Sequence, residues 1–302
     1  MQIHPLIEDS ATLAQLCARF ASADFITVDT ELWPLNYAGW PNRRLPAEKT
    51  DFSAEFSVYF DGKTRSGDYG VPYQISRLNH YGLKATYFVE PLFSLRAGSD
   101  YLKHMVTAIE GQRQEAQLHL HTEWLSEIQH PKLPPQFRQH LRQFDQAEQT
   151  TLLGVGADLL RHAGAGEICA FRAGNYGANL TTLRALASNG IRFDTSYNAC
   201  YQGGACDMPG IGTGLSPREV EGVVEYPVSH FADFRHHRRH VQFCACSFSE
   251  LRHLLLQASQ QQLPALVIVM HPFELIRKDP QLSAQGLALP VHSYIRRFEK
   301  LC

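Results

Sequence analysis

Little in the chain speaks for a membrane, for nucleic acid or for a disulfide framework. The longest uninterrupted apolar run, Ala265-Leu266-Val267-Ile268-Val269-Met270, falls far short of the ~20 residues that a membrane-crossing helix needs. Lys+Arg 28 against Asp+Glu 30 leaves a net charge of -2, so there is no basic excess to meet a phosphate backbone or an anionic bilayer. The 7 cysteines are odd in number and scattered from Cys17 to Cys302, which argues against a disulfide scaffold. Glu8 and Asp9 stand where a secretory leader would carry positive charge. These absences together point to a cytoplasmic protein. No linker, repeat or low-complexity tract divides the chain. With 302 residues and 44% hydrophobic content, one domain over 1–302 is expected, its core over about 25–275.

What is present is an alternation of strand-like and helix-like segments. Leu13, Leu16, Cys17 and Phe20 recur at helical spacing behind Ser10, predicting a helix over 10–20. Strands are predicted at 25–29, 85–89, 117–121, 168–172, 191–194, 223–227 and 266–270, and helices at 68–81, 101–109, 151–162, 178–189 and 247–261. Ser247-Phe248-Ser249-Glu250 has capping-box spacing, and Gly82 and Gly190 read as helix stops. Residues 32–67 read as a long irregular stretch, and loops of that length usually carry function. Cys244 and Cys246 read as small buried residues on one face of a strand, and 235–240 as a solvated basic loop or hairpin. A strand–helix alternation of this kind implies a parallel sheet, here an α/β fold in the form of a distorted barrel.

Three short stretches carry the chemistry: Asp29-Thr30-Glu31, His119-Leu120-His121-Thr122-Glu123 and His271-Pro272. Each follows an apolar strand. Side chains alternate along a strand, so Asp29 and Glu31 share a side, as do His119, His121 and Glu123. In α/β folds the ends of parallel strands are where chemistry is done. Carboxylates and imidazoles gathered there suit a divalent cation, zinc above all, held by N and O atoms.

Read together, these motifs resemble the polysaccharide deacetylase superfamily of metal-dependent N- and O-deacetylases, over roughly residues 25–275. Thr27-Val28-Asp29-Thr30-Glu31 is similar to that family's first motif, Ala85-Thr86-Tyr87-Phe88-Val89 to its second strand, and Glu115 to Leu125 to its metal motif. Phe171-Arg172-Ala173-Gly174-Asn175-Tyr176-Gly177 is similar to the motif that carries an arginine, Phe193-Asp194-Thr195-Ser196 to the stretch after strand five, and Met270-His271-Pro272 to the last motif. The resemblance implies a distorted (β/α) barrel of about seven parallel strands. It implies Asp29 as catalytic base, Arg172 orienting it, His271 as general acid, and a metal bound by Glu31, His119, His121 and Glu123. The chain departs from the pattern in two places. The second carboxylate is displaced to Glu31, and Glu123 stands where a second histidine is usual, so His121 or Glu123 completes the ligand set.

The substrate implied is an N- or O-acetylated sugar or a related small acetylated compound. Trp33, Tyr37, Trp40, Trp124 and Tyr176 offer flat faces for it. Other readings remain: a different barrel metal hydrolase cutting C–N bonds of cyclic amides, or a non-catalytic carbohydrate-binding relative. Leu16-Cys17-Ala18-Arg19-Phe20 with Val28-Asp29-Thr30-Glu31 also resembles the start of ribonuclease D-type exonucleases. Without further acidic motifs or a basic surface, that likeness is expected to be fortuitous.

Overall fold

Short strands buried along most of their length form the frame. The computed structural model describes residues 26–34, 52–133, 135–235 and 237–302. Strand β1 is Ile26–Thr30, β2 Ala85–Val89, β3 Glu115–Leu120, β4 Ala170–Ala173, β5 Phe193–Asp194, β6 Arg218–Val220 and β7 Val223–Glu225. Then come β8 His230–Phe234, β9 His237–His240 and β10 Ile268–Met270. Both β1 and β2 are buried along their whole length, as expected of strands covered on two faces.

One eight-stranded sheet has the order β10-β1-β2-β3-β4-β5-β7-β6. Its first seven strands are parallel, and β6 closes the far edge antiparallel to β7. The seven parallel strands agree with the sequence expectation. Closure into a barrel does not follow, because β10 and β6 end the sheet unpaired with each other. The outer edge of β10 is instead covered by irregular chain: Phe243 N–H donates to the Val269 carbonyl and Val269 N–H to that of Val241.

The longer helices are α1 Ser53–Tyr59, α2 Val71–His80, α3 Ser99–Glu110, α4 Gln146–His162, α5 Leu180–Ser188, α6 Phe248–Gln260 and α7 His292–Leu301. Three open on reciprocal caps: Asp145 with Glu148, Asn179 with Thr182, and Ser247 with Glu250. The last matches the sequence reading. The Asp145 box starts α4 earlier than expected, because its polar first turn resembles a loop. The expected irregular stretch contains α1, which buries Phe56, Val58 and Tyr59, and a small hairpin pairing Lys63–Thr64 with Gly67–Asp68. The core also runs past 275: Ile295, Phe298 and Leu301 of the amphipathic α7 join it. Cys244 and Cys246 lie in a turn rather than a strand, and the described cysteines are free thiols. The basic cluster does form a hairpin, β8–β9. The expected helix over 10–20, Tyr37 and Trp40 lie outside the described residues. No helix among the described residues is long and apolar enough to cross a membrane.

Candidate metal and catalytic site

The parallel order brings the carboxyl ends of β1, β3, β4 and β10 to one rim. There a cavity of 510 Å³ is lined by Asp29, Glu31, His119, His121, Asn175, Tyr176 and His271, among others. In-register pairing of β3 with β4 places His119 beside Arg172, and β10 pairs directly with β1.

His119 Nδ1 lies 2.7 Å from the Arg172 carbonyl, an acceptor only, so the ring proton sits on Nδ1. Its Nε2 faces Glu31 Oε1 at 3.1 Å. His121 Nε2 lies 3.0 Å from the same oxygen. Two ring nitrogens converge on one carboxylate oxygen, a spot that calls for positive charge. Ligand atoms of Glu31, His119 and His121 all lie within 4.8 Å of one another, and all three residues are buried. An N,N,O set of this kind fits zinc or a similar divalent ion.

The electrostatics agree. Burial works against the Glu31 charge, yet His121, His119 and His271 hold its carboxyl well below the usual range. Burial likewise opposes a charged His121, but Glu31 and Glu123 push its pKa well above the ordinary value. The carboxylates therefore demand positive charge at this spot.

Glu123 stands one layer out. Its Oε2 lies 3.1 Å from His121 Nδ1, the ring nitrogen facing away from Glu31, and its Oε1 accepts from Asn175 Nδ2 at 2.7 Å. A carboxylate on the far nitrogen of a ligating histidine fixes its tautomer and orientation. Trp33 plays the matching part for Glu31, its indole N–H donating to Oε2 at 2.5 Å. Expected as a sugar platform, Trp33 is only 6% exposed and stacks on Trp124, which is fully buried. These two rings buttress the site instead.

Asp29 and Arg172 meet behind the ligands. Arg172 is fully buried; its Nη1 donates to Asp29 Oδ1 at 2.7 Å, its Nε to the Thr195 carbonyl, and its guanidinium lies over the Phe88 ring. This grip fixes the Asp29 carboxylate in one orientation. His271 Nε2 lies 3.8 Å from Glu31 Oε1. Its Nδ1 is 3.0 Å from Glu274 Oε1, which also accepts from Gln242 Nε2. Burial lowers the His271 pKa, but the Glu274 hydrogen bond and the charges of Glu31 and Asp29 outweigh it and push it up to about 9. The imidazole thus favours its protonated form.

Asn175 and Tyr176 both sit in the left-handed region, at φ 54 and 56. Two consecutive side-chain-bearing residues there store strain, and such strain clusters at functional sites. Gly174 before them is required by space: a Cβ would come within 2.6 Å of the His121 ring. Glu274 was not singled out from sequence. It could have been, since it follows His271 by three residues and so stands one helical turn on.

No protein-family model matches the chain. A stretch of 41 residues is 63% identical to ribonuclease D of Zymomonas mobilis, and 42 residues are 60% identical to that of Sphingobium indicum. Each stretch is 14% of this chain, which spans about a tenth of the length of the curated relatives it matches. Identity at that level over some forty residues exceeds coincidence, which corrects the expectation that the ribonuclease D likeness is fortuitous; the likeness is local. Among solved structures the chain is similar to an assigned polysaccharide deacetylase of Mycobacterium smegmatis, at 15% identity and TM-score 0.49, covering 93% of this chain and 86% of that one. It is also similar to a family 4 carbohydrate esterase of Streptomyces lividans in complex with acetate, at 14% identity and TM-score 0.37, covering 91% and 95%.

Proposed function

We propose that the protein is a metal-dependent hydrolase that removes acetyl groups from an N- or O-acetylated sugar. The observation that carries this reading is the Arg172–Asp29 pair at 2.7 Å beside the convergent Glu31, His119 and His121. It supplies a fixed base next to a cation site, and His271 supplies an acid. The order of the sequence motifs agrees with the same chemistry.

Glu31, His119 and His121 would hold the cation, with Glu123 and Trp33 aligning the ligands. Bound there, a divalent ion such as zinc polarises the acetyl carbonyl and lowers the pKa of water. Asp29 takes the proton of the attacking water, its carboxylate aimed by Arg172. A backbone N–H of the Asn175–Tyr176 turn stabilises the developing oxyanion. His271, held protonated through Glu274, gives its proton to the leaving amine, which departs poorly without one. The carboxylate–arginine pair and the Glu274-supported acid favour a working enzyme over a non-catalytic binding protein. The stretch shared with ribonuclease D does not supply a competing reading, because the acids of this site converge on histidines rather than on further acids.

The test is acetate release from acetylated sugars by protein stripped with a chelator and reloaded with zinc. Activity restored by metal and abolished in Asp29→Asn with metal retained supports the reading. Metal-replete protein that releases no acetate overturns it.

A further inference from the structure

The cavity wall beyond His271 carries a feature that deacetylation does not use. The His271 ring packs on Phe273, with centroids 5.0 Å apart, and Phe273 meets Tyr59 edge-on at 5.4 Å. The Lys278 ammonium lies over the Tyr59 ring, 4.9 Å from its centroid, and donates to Tyr59 Oη at 2.6 Å. All four side chains line the 510 Å³ cavity. Lys278 is an exposed residue whose ammonium is held in place by the Tyr59 hydroxyl.

Lys278 has no carboxylate partner among the described residues. The adjacent Asp279 is engaged elsewhere, its side chain accepting from the N–H groups of Gln281 and Leu282 at the start of the short helix Pro280–Ser283. The acids of the cavity are engaged too: Asp29 by Arg172, Glu31 by the histidines and Trp33, and Glu274 by His271 and Gln242. Desolvation alone lowers the Lys278 pKa, with no opposing charge to raise it again. A positioned cation without a counter-ion, on the wall of a substrate cavity, is a receptor for an anion.

We infer that Lys278 and Tyr59 form a subsite for an anionic group, phosphate or carboxylate, carried by the acetylated sugar two ring contacts away from His271. This assignment rests on the deacetylase reading for the identity of the sugar. The binding it describes is measured without turnover. The half-buried Phe273 ring gives the sugar an apolar contact between the reacting acetamide and the anion.

The experiment is calorimetric titration of zinc-loaded protein with N-acetylglucosamine, its 6-phosphate, its 1-phosphate and the corresponding uronic acid. The expected result is at least ~10-fold tighter binding of one anionic sugar than of the neutral one, a preference that falls with added salt. Tighter binding of a phosphorylated sugar or of the uronic acid identifies the anion. Lys278→Met should cut that preference ~10- to 100-fold, the usual weight of a charge-assisted hydrogen bond, and Lys278→Arg should restore part of it. Equal affinity for all four sugars, or a preference untouched by Lys278→Met, overturns the inference. Should Lys278→Met not fold, competition by inorganic phosphate against the anionic sugar decides the same question, and its absence overturns the subsite. Acetate release is followed in parallel. An anion preference that depends on Lys278 without acetate release leaves the subsite standing and removes the deacetylase reading; acetate release without the preference does the reverse.

Discussion

Two buried carboxyl sites are held in opposite states. Glu31 lies among His119, His121 and His271, and these hold it well below the usual carboxylate range despite burial. Asp194 and Glu225, in register on β5 and β7, have no such imidazoles, and burial pushes both upward. Ser196 Oγ satisfies one Asp194 oxygen and Tyr197 N–H one Glu225 oxygen. The remaining two, Asp194 Oδ2 and Glu225 Oε2, have no donor, while the two side chains bond each other. A single shared proton satisfies both. Burial is common to the two sets, so burial alone decides nothing; the partners determine whether a carboxyl stays charged. The first site could hold a cation, whereas the second favours its neutral, protonated form.

Breaking the first set should have the largest effect. His119→Ala removes an imidazole that faces Glu31 and is expected to empty the metal site, whereas Glu225→Gln should leave metal content at the wild-type level. Elemental analysis of both proteins purified without chelator checks the contrast, and full metal in His119→Ala would take that residue out of the ligand set.

Next comes Asp29→Asn, which keeps the metal and loses the base. Turnover should fall by roughly two to four orders of magnitude. Loss of metal in step with activity would instead make Asp29 a ligand. His271→Ala should slow acetamide cleavage far more than cleavage of an activated ester, whose leaving group needs no proton. Because the His271 pKa is raised to about 9, the acid form persists below that value, and acetamide turnover should fall as pH rises through it. Equal losses on both substrates would assign His271 to binding.

Trp33→Phe keeps the stacked ring but deletes the N–H on Glu31. The expected cost is about tenfold in metal affinity, read by competition with a chromogenic chelator. An unchanged affinity would show that ring packing alone positions Glu31.

The smallest effect sharpens the comparison from its other side. The raised pKa of the Asp194–Glu225 pair means that the folded chain holds a proton which the unfolded chain releases. The pair's stabilising contribution is therefore complete below the ordinary carboxylate range and is lost as pH rises through the elevated folded value. Each tenfold difference in proton affinity is worth about 1.4 kcal/mol. Glu225→Gln should flatten the decline of Tm across that range in a pH series of thermal melts; an identical slope in both proteins would exclude the shared proton.

The sequence by itself determined the seven parallel strands, the cap of α6, and the residues that end at the cavity rim. The reason is physical: an apolar strand buried on both faces is legible in its composition, and a strand's two-residue period fixes that Asp29 and Glu31, or His119 and His121, point the same way. Only the tertiary structure decided which of these groups converge. Arg172 reaches Asp29 across 143 positions of chain, and His121 reaches Glu31 across 90. It also decided that Glu123 stands behind His121, that Trp33 and Trp124 buttress the ligands, and that the sheet stays open beside β10. Local periodicity carries no record of such distances; they follow from the sheet order, which packing of the whole chain sets.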